Sequence, residues 1–171
     1  MSNTVKLSLA ASLAFLVFEL VVRWGIRTGL EPGETVPLAG RLYLTNATNI
    51  NSIKGLGLSS VTWLFMALAI CIFFVGAFQF LVRVPQLHGN RFASLGCFAS
   101  FLLVAVVVAN LFEALWLGGV TDYLASVDLA AGRAHIINLG DIFLALAILA
   151  IVIAGLGTGA SLLASTTTSS S

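Results

Sequence analysis

Two aspartates, Asp122 and Asp141, have the type and setting that acid–base chemistry requires. Each follows or opens a long apolar stretch, so both carboxyl groups are expected in partly desolvated surroundings. Two such groups close together cannot both ionise easily, and they tend to hold one proton between them. One can then take a proton from water while the other donates to a substrate carbonyl oxygen, as in aspartic proteases. A structural or ion-pathway role for the pair is the alternative.

Polar neighbours at helical spacing accompany both aspartates. Asn110 and Glu113 are three residues apart near the end of one apolar stretch, and Asn138 and Asp141 are three apart at the start of the next. Residues three apart share one face of a helix. The pattern therefore predicts that the two aspartates arrive at similar depth from adjacent helices, with asparagines beside them.

The composition indicates which elements position these groups. Of the 171 residues, 59% are hydrophobic and 9% are charged, whereas a soluble domain has about 25% charged residues. A helix needs roughly 20 apolar residues to cross a bilayer, and four stretches are long enough. We therefore predict an all-α integral membrane protein of one domain. The predicted spans are residues 7–26, 58–82, 92–117 and 136–156, followed by a disordered polar tail at 165–171.

The connections between spans are unequal, and they predict the topology. Residues 27–57 and 118–135 form long loops on one side, and a strand-like run, Leu42 to Thr45, predicts a small β-cradle there. The short second connection carries Arg83, His88 and Arg91 without an acid, and Lys6 joins it on the other side. Positive residues favour the cytoplasmic side. Both termini are thus expected in the cytoplasm and the aspartates at the extracytoplasmic face.

Ionisable groups inside spans are costly and each suggests a function. Glu19 and Arg23 stand four apart with the acid first, which favours an ion pair within one helix. The simplest interpretation of this pair is structural. Cys71 and Cys97 lie inside apolar stretches and are interpreted as packing residues.

The order of these motifs resembles bacterial lipoprotein signal peptidase (signal peptidase II) over nearly the whole chain. That family has an acid and, four residues later, a lysine in its first span, where this chain has Glu19 and Arg23. Its third-span motif, Asn-Leu-x-Asp-Arg with Gly-x-Val-x-Asp-Phe, is matched by residues 110–114 and 118–123. Its fourth-span motif, Phe-Asn-x-Ala-Asp, is matched by Ile137-Asn138-Leu139-Gly140-Asp141.

The resemblance implies an aspartic endopeptidase of the bacterial inner membrane. It would remove the signal peptide of a lipidated prolipoprotein just before a diacylglyceryl-modified cysteine, as a monomer in contact with membrane lipid. Asp122 and Asp141 would be catalytic. Asn49, Asn110, Glu113 and Asn138 would bind substrate or support the dyad. No cofactor, metal or nucleic-acid partner is expected.

A divergent, non-catalytic paralogue is the rival hypothesis. Ala114 replaces the arginine of the third-span motif, and Val107, Val108 and Ala109 replace its glycines. Such a protein would keep the helix bundle and bind a helical partner as a membrane scaffold. Retention of both aspartates favours the enzyme, because a scaffold near lipid would gain from losing them.

Overall fold

The computed structural model describes residues 3–50, 60–87, 89–128 and 133–168. Within these ranges it has four long helices and one four-stranded sheet. The helices are α1 (Asn3–Gly29), α2 (Ser60–Leu81), α3 (Arg91–Leu117) and α4 (Leu139–Thr168), and the strands are β1 (Thr35–Ala39), β2 (Leu42–Asn49), β3 (Val120–Asp128) and β4 (Arg133–Ile137). Each of the four helices is long and apolar enough to cross a membrane.

Helix α3 is the centre of the bundle and packs against each of the other three helices. In its most apolar window 61% of the residues are buried, against 11–22% for the others. Small side chains make this close packing possible, because they let helix backbones approach. At Gly96 a side chain would collide with the ring of Phe78, which occupies that space. Cys97 is buried in the same core, as is Cys71.

Both ends of α3 follow local sequence signals. Asn90 caps the start, where its side chain accepts hydrogen bonds from the backbone N–H groups of Phe92 and Ala93. Gly118 ends the helix in the left-handed conformation at φ 75°, which only glycine adopts without strain. The chain then turns directly into β3, so the end of α3 fixes where the residues after Val120 lie.

The sheet is antiparallel in the order β1-β2-β3-β4 and lies at one end of the bundle. It stands where α1 and α3 end and where α2 and α4 begin. A shift in the β2–β3 register sets Ala47 opposite Asp122 and Asn49 opposite Val120. The predicted strand from Leu42 to Thr45 is therefore the first half of a longer strand that pairs beside Asp122.

Three boundaries differ from the predictions. Ile136 and Ile137, expected to open the fourth span, lie in β4 and pair with Ala125 and Leu124 of β3, so α4 begins at Leu139. An apolar run does not distinguish a strand from a helix by itself. Residues 118–135, expected as a loop, contain β3 and most of β4. The predicted tail at 165–171 is helical as far as Thr168, where α4 ends. Residues 51–59 and 169–171 lie outside the described residues.

Candidate functional site

The residues singled out in the sequence meet where the helix bundle joins the sheet. They come from five elements and from the turn before α4. They are Glu19 and Arg23 of α1, Asn49 of β2, Asn110 and Glu113 of α3, Asp122 of β3, and Asn138 with Asp141 at the start of α4.

Asn138 hydrogen-bonds both aspartates. Its side-chain Nδ2 donates to Oδ1 of Asp122 at 2.7 Å, and its backbone N–H donates to Oδ2 of Asp141 at 3.1 Å. Its Oδ1 accepts the backbone N–H of Asp141 at 3.0 Å. The exchange between Asn138 and Asp141 is a capping box, in which two residues satisfy each other's unpaired N–H at a helix start. One buried asparagine thus holds both carboxyl groups at the start of α4.

Two distant side chains complete the cap of α4. The N–H of Leu139 donates to the hydroxyl of Tyr123 at 3.2 Å, and that of Gly140 donates to Oε1 of Glu19 at 3.2 Å. Tyr123 in turn donates to Oε2 of Glu19 at 2.8 Å. The first N–H groups of a helix have no partner within it, and here α1 and β3 supply the acceptors. The position of Asp141 is therefore set by three elements.

Asp122 is nearly buried, with 7% of its surface exposed. Asn49 donates to its Oδ2 at 3.1 Å, so each carboxylate oxygen accepts one amide N–H. Burial raises the pKa of the Asp122 carboxyl above its ordinary value of 3.8, and the charge of Asp141 adds to this rise. The hydrogen bonds from Asn138 and Asn49 and the charge of Arg23 oppose it. The result is a carboxyl group that is more basic than an aspartate in water.

Arg23 is the buried centre of the cluster, with 1% of its surface exposed. Its Nε and Nη2 donate to Oε1 of Glu19 at 3.0 and 2.8 Å, and its Nη1 donates to Oε2 of Glu113 at 2.8 Å. Nη2 also lies 2.8 Å from Oδ1 of Asn110 and 3.2 Å from Oδ1 of Asn138. Two anions and two amide oxygens surround one guanidinium, which satisfies a buried charge by several hydrogen bonds.

Glu113 fastens the beginning of β3 to the end of α3. Its Oε2 accepts the backbone N–H of Thr121 at 2.8 Å, and its Oε1 accepts the Thr121 hydroxyl at 2.7 Å. Arg27 lies on its other side, with Nε 3.4 Å from Oε1. Because Thr121 precedes Asp122, this anchor fixes the backbone that carries the aspartate.

The structure gives the predicted residues different positions around the aspartates. Asn49 and Asn138 contact Asp122 directly, while Asn110 and Glu113 contact Arg23 instead. The predicted ion pair of Glu19 and Arg23 is present, but it is not confined to one helix. The sequence interpretation missed Arg27, Thr121 and Tyr123 as part of the cluster. Arg27 follows Arg23 by four residues and shares its helix face, which was an available signal.

A purely apolar groove of about 420 Å³ runs along the bundle below this site. It is lined by α2, α3 and α4 through Ala67, Ile70, Cys71, Phe74, Leu103, Val107, Leu144, Ile148, Ile151 and Val152. On α4 the lining residues Leu144 and Ile148 follow Asp141 by three and seven residues, so they lie on its helix face. The groove therefore runs along the face that begins at Asp141. Within the described ranges, no three His, Cys, Asp or Glu side chains are grouped to hold a metal ion.

Solved structures share this fold, although sequence comparison finds nothing. No protein-family model and no curated protein matches the chain. A bacterial membrane enzyme solved by the in meso method at 2.3 Å resolution superposes with a TM-score of 0.65, at 22% identity, over 88% of both chains. A second bacterial membrane enzyme structure, at 1.9 Å resolution, gives the same score and identity over 88% of this chain and 93% of the other. Likeness at this identity establishes the shared fold.

Proposed function

We propose that this protein is a membrane aspartic endopeptidase of the signal peptidase II type, with Asp122 and Asp141 as its catalytic pair. The observation that carries the proposal is the hydrogen bonding of both carboxyl groups to Asn138, at the junction of the bundle and the sheet. A pair held at this boundary meets water from outside and a peptide bond from the membrane. The fold shared with bacterial membrane enzymes supports the same class.

The surroundings assign the two carboxyl groups different roles. The pair holds one proton, and burial raises the pKa of Asp122, so that proton resides on Asp122. Asp141 takes a proton from water as the water oxygen attacks the scissile carbonyl carbon, while Asp122 gives its proton to the carbonyl oxygen. When the tetrahedral intermediate collapses, the C–N bond breaks, the proton held by Asp141 passes to the leaving nitrogen, and the hydroxyl formed from the carbonyl oxygen returns its proton to Asp122.

The apolar groove below Asp141 supports a substrate that arrives as a membrane-embedded helix. Its lining offers no polar group, so it fits an apolar segment and disfavours a soluble peptide. The hydrophobic part of a signal peptide has this chemistry, and the groove would lead its end toward the catalytic pair. A diacylglyceryl-cysteine just beyond the cleavage site would keep its acyl chains in lipid.

Filling this groove is expected to weaken substrate binding. Ile148→Trp places a larger ring among the residues that line the groove, so we expect KM for a lipidated prolipoprotein to rise about tenfold while kcat changes little. Ile153→Trp is the matched control, because Ile153 is an exposed isoleucine of α4 that does not line the groove. Equal KM values for the two variants would contradict the proposed substrate path.

The decisive test of the function is cleavage by the purified protein. The full chain in detergent is incubated with a diacylglyceryl-modified prolipoprotein and with its unmodified precursor, and release of the signal peptide is followed by gel and mass spectrometry. We expect release from the lipidated substrate only. Absence of release from both substrates, with the protein folded, would overturn the proposal.

Charge supports the proposed orientation. The end of the bundle that carries both termini has Lys6, Arg83 and Arg91 without an acidic residue beside them, whereas the basic residues toward the sheet end, among them Arg27, Arg41 and Arg133, are accompanied by all seven acidic residues. We infer that the sheet end faces outward across the bacterial inner membrane. A cysteine replacing Leu38, which is 53% exposed in β1, should react with a membrane-impermeant thiol reagent in intact spheroplasts. Labelling of this cysteine only after lysis would reverse the orientation.

The capping box gives the rival scaffold hypothesis its own support. Asp141 caps α4 whether or not it performs chemistry, so its retention also has a structural explanation. A scaffold would bind a helical partner in the same groove without cleaving it. The cleavage assay separates the two, because a scaffold would retain the lipidated substrate and release no signal peptide.

A further inference from the structure

The absence of a side chain at Gly140 leaves space beside the guanidinium of Arg23. A Cβ atom at this position would lie 2.7 Å from Oδ1 of Asn138, 3.1 Å from Nη2 of Arg23 and 3.4 Å from Cγ1 of Val106. The first distance is shorter than real Cβ contacts allow, and the second is tight. Even the smallest side chain would therefore press on the two atoms that form the Arg23–Asn138 hydrogen bond.

The Arg23–Asn138 hydrogen bond is linked through the Asn138 side chain to Asp122, the proposed catalytic group. Nη2 of Arg23 donates to Oδ1 of Asn138, and Nδ2 of the same amide donates to Oδ1 of Asp122 at 2.7 Å. A primary amide is planar, so a force on its oxygen moves its nitrogen as well. The position of the guanidinium is therefore transmitted to the Asp122 carboxyl.

The guanidinium of Arg23 is also held by two glutamates. Two of its nitrogens bind Glu19 on the same helix, and a third binds Glu113 on α3. A guanidinium offers five N–H donors in one plane, whereas a lysine ammonium is a single point with three. Lysine at this position would keep the charge but could not reach both glutamates and both asparagines together.

We propose that Arg23 and Gly140 form one positioning device for Asp122, in which the missing side chain at Gly140 lets Arg23 hold the Asn138 amide. Neither residue touches the reacting atoms. The inference rests on the proposed peptidase function for its kinetic readout, and it predicts that disturbing either residue lowers kcat and leaves KM unchanged.

A double-mutant cycle tests the device. Gly140→Ala and Arg23→Lys are compared singly and together in the full chain, with kcat and KM measured on a lipidated prolipoprotein well below each melting temperature. We expect each single variant to lose about tenfold in kcat, and the double variant to lose about tenfold as well, because both changes disrupt the same Arg23–Asn138 contact. Gly155→Ala is the matched control, since a Cβ there meets nothing within 4 Å.

A structural readout keeps the inference separate from the function. The side-chain amide signal of Asn138 in ¹⁵N NMR spectra, assigned by its loss in Asn138→Asp, should move in Gly140→Ala and in Arg23→Lys and stay in place in Gly155→Ala. If the wild type releases no signal peptide, the proposed function fails and this signal alone decides the inference. If Gly140→Ala does not fold, Arg23→Lys decides it through kcat and the same signal.

Three results would overturn the proposal. The first is a loss of about a hundredfold in kcat for the double variant. Such a loss would mean that the two single effects are independent, because independent effects add in free energy. The second is a rise in KM in place of a fall in kcat. The third is an Asn138 signal that stays unchanged in Arg23→Lys.

Discussion

Asp141→Asn is expected to abolish signal-peptide release while the protein stays folded. Asparagine keeps an oxygen that can accept the backbone N–H of Asn138, so the cap of α4 survives with a loss of about 1 kcal/mol or less. It cannot take up the proton that water must lose as it attacks the carbonyl carbon. Loss of a positioned base lowers rates by about 10²- to 10⁴-fold. Release is measured with lipidated prolipoprotein, and folding by thermal unfolding in detergent.

Glu34→Gln is the matched control for this variant, because Glu34 is an exposed acid in the turn before β1. It should cleave at the wild-type rate. Near-normal signal-peptide release by Asp141→Asn would contradict the catalytic pair. So would a wild-type protein that releases no signal peptide and whose stability does not change on the Asp141→Asn substitution.

The same pair predicts how the wild-type rate depends on pH. Asp122 must be protonated to act as the acid, and its pKa is raised above 3.8 by burial. As the pH rises through this raised pKa, the pair loses the proton that it must donate, so the rate should fall on alkalinisation at a pH above 3.8. A basic limb at or below that value would assign the acid to a different group.

Arg23→Met is expected to produce the largest loss of stability of any single substitution in the cluster. It leaves Glu19 and Glu113 buried without the cation that both bind, at 0% and 3% exposure. Removal of one partner from a buried ion pair costs about 3–5 kcal/mol, because the remaining charge stays desolvated. The free energy of unfolding in mixed detergent is the measurement.

Two variants control for the simple loss of a positive charge. Arg41→Met removes an exposed arginine in the turn between β1 and β2 and should change stability by less than about 0.5 kcal/mol. Glu19→Gln combined with Arg23→Met should be more stable than Arg23→Met alone, since one stranded charge is neutralised. If Arg23→Met and Arg41→Met were equally stable, the buried cluster would contribute nothing to folding.

The sequence by itself determined the helices and the short list of candidate groups. A bilayer requires about 20 apolar residues per span and makes ionisable residues expensive within it. Four stretches and a handful of charged or amide side chains therefore stood out without any knowledge of contacts. The alternation from Leu42 to Thr45 also indicated a strand, and β2 contains it.

Tertiary structure decided the start of α4 and the partners of each polar group. Ile136 and Ile137 suit a helix or a strand equally, and pairing with β3 made them a strand. Arg23 binds Glu113, which is 90 residues away, because α1 packs against α3 with these two side chains in contact. Local periodicity gives the face on which a side chain lies but not the helix that the face meets.

Arg23 and Gly140 illustrate the limit most clearly. In the sequence they are two separate residues, and they stand in the first and fourth spans. In the fold they are one contact, because the site of the absent Cβ lies 3.1 Å from the guanidinium nitrogen. A guanidinium and an absent side chain affect each other only where they share space, and packing alone determines which residues share it.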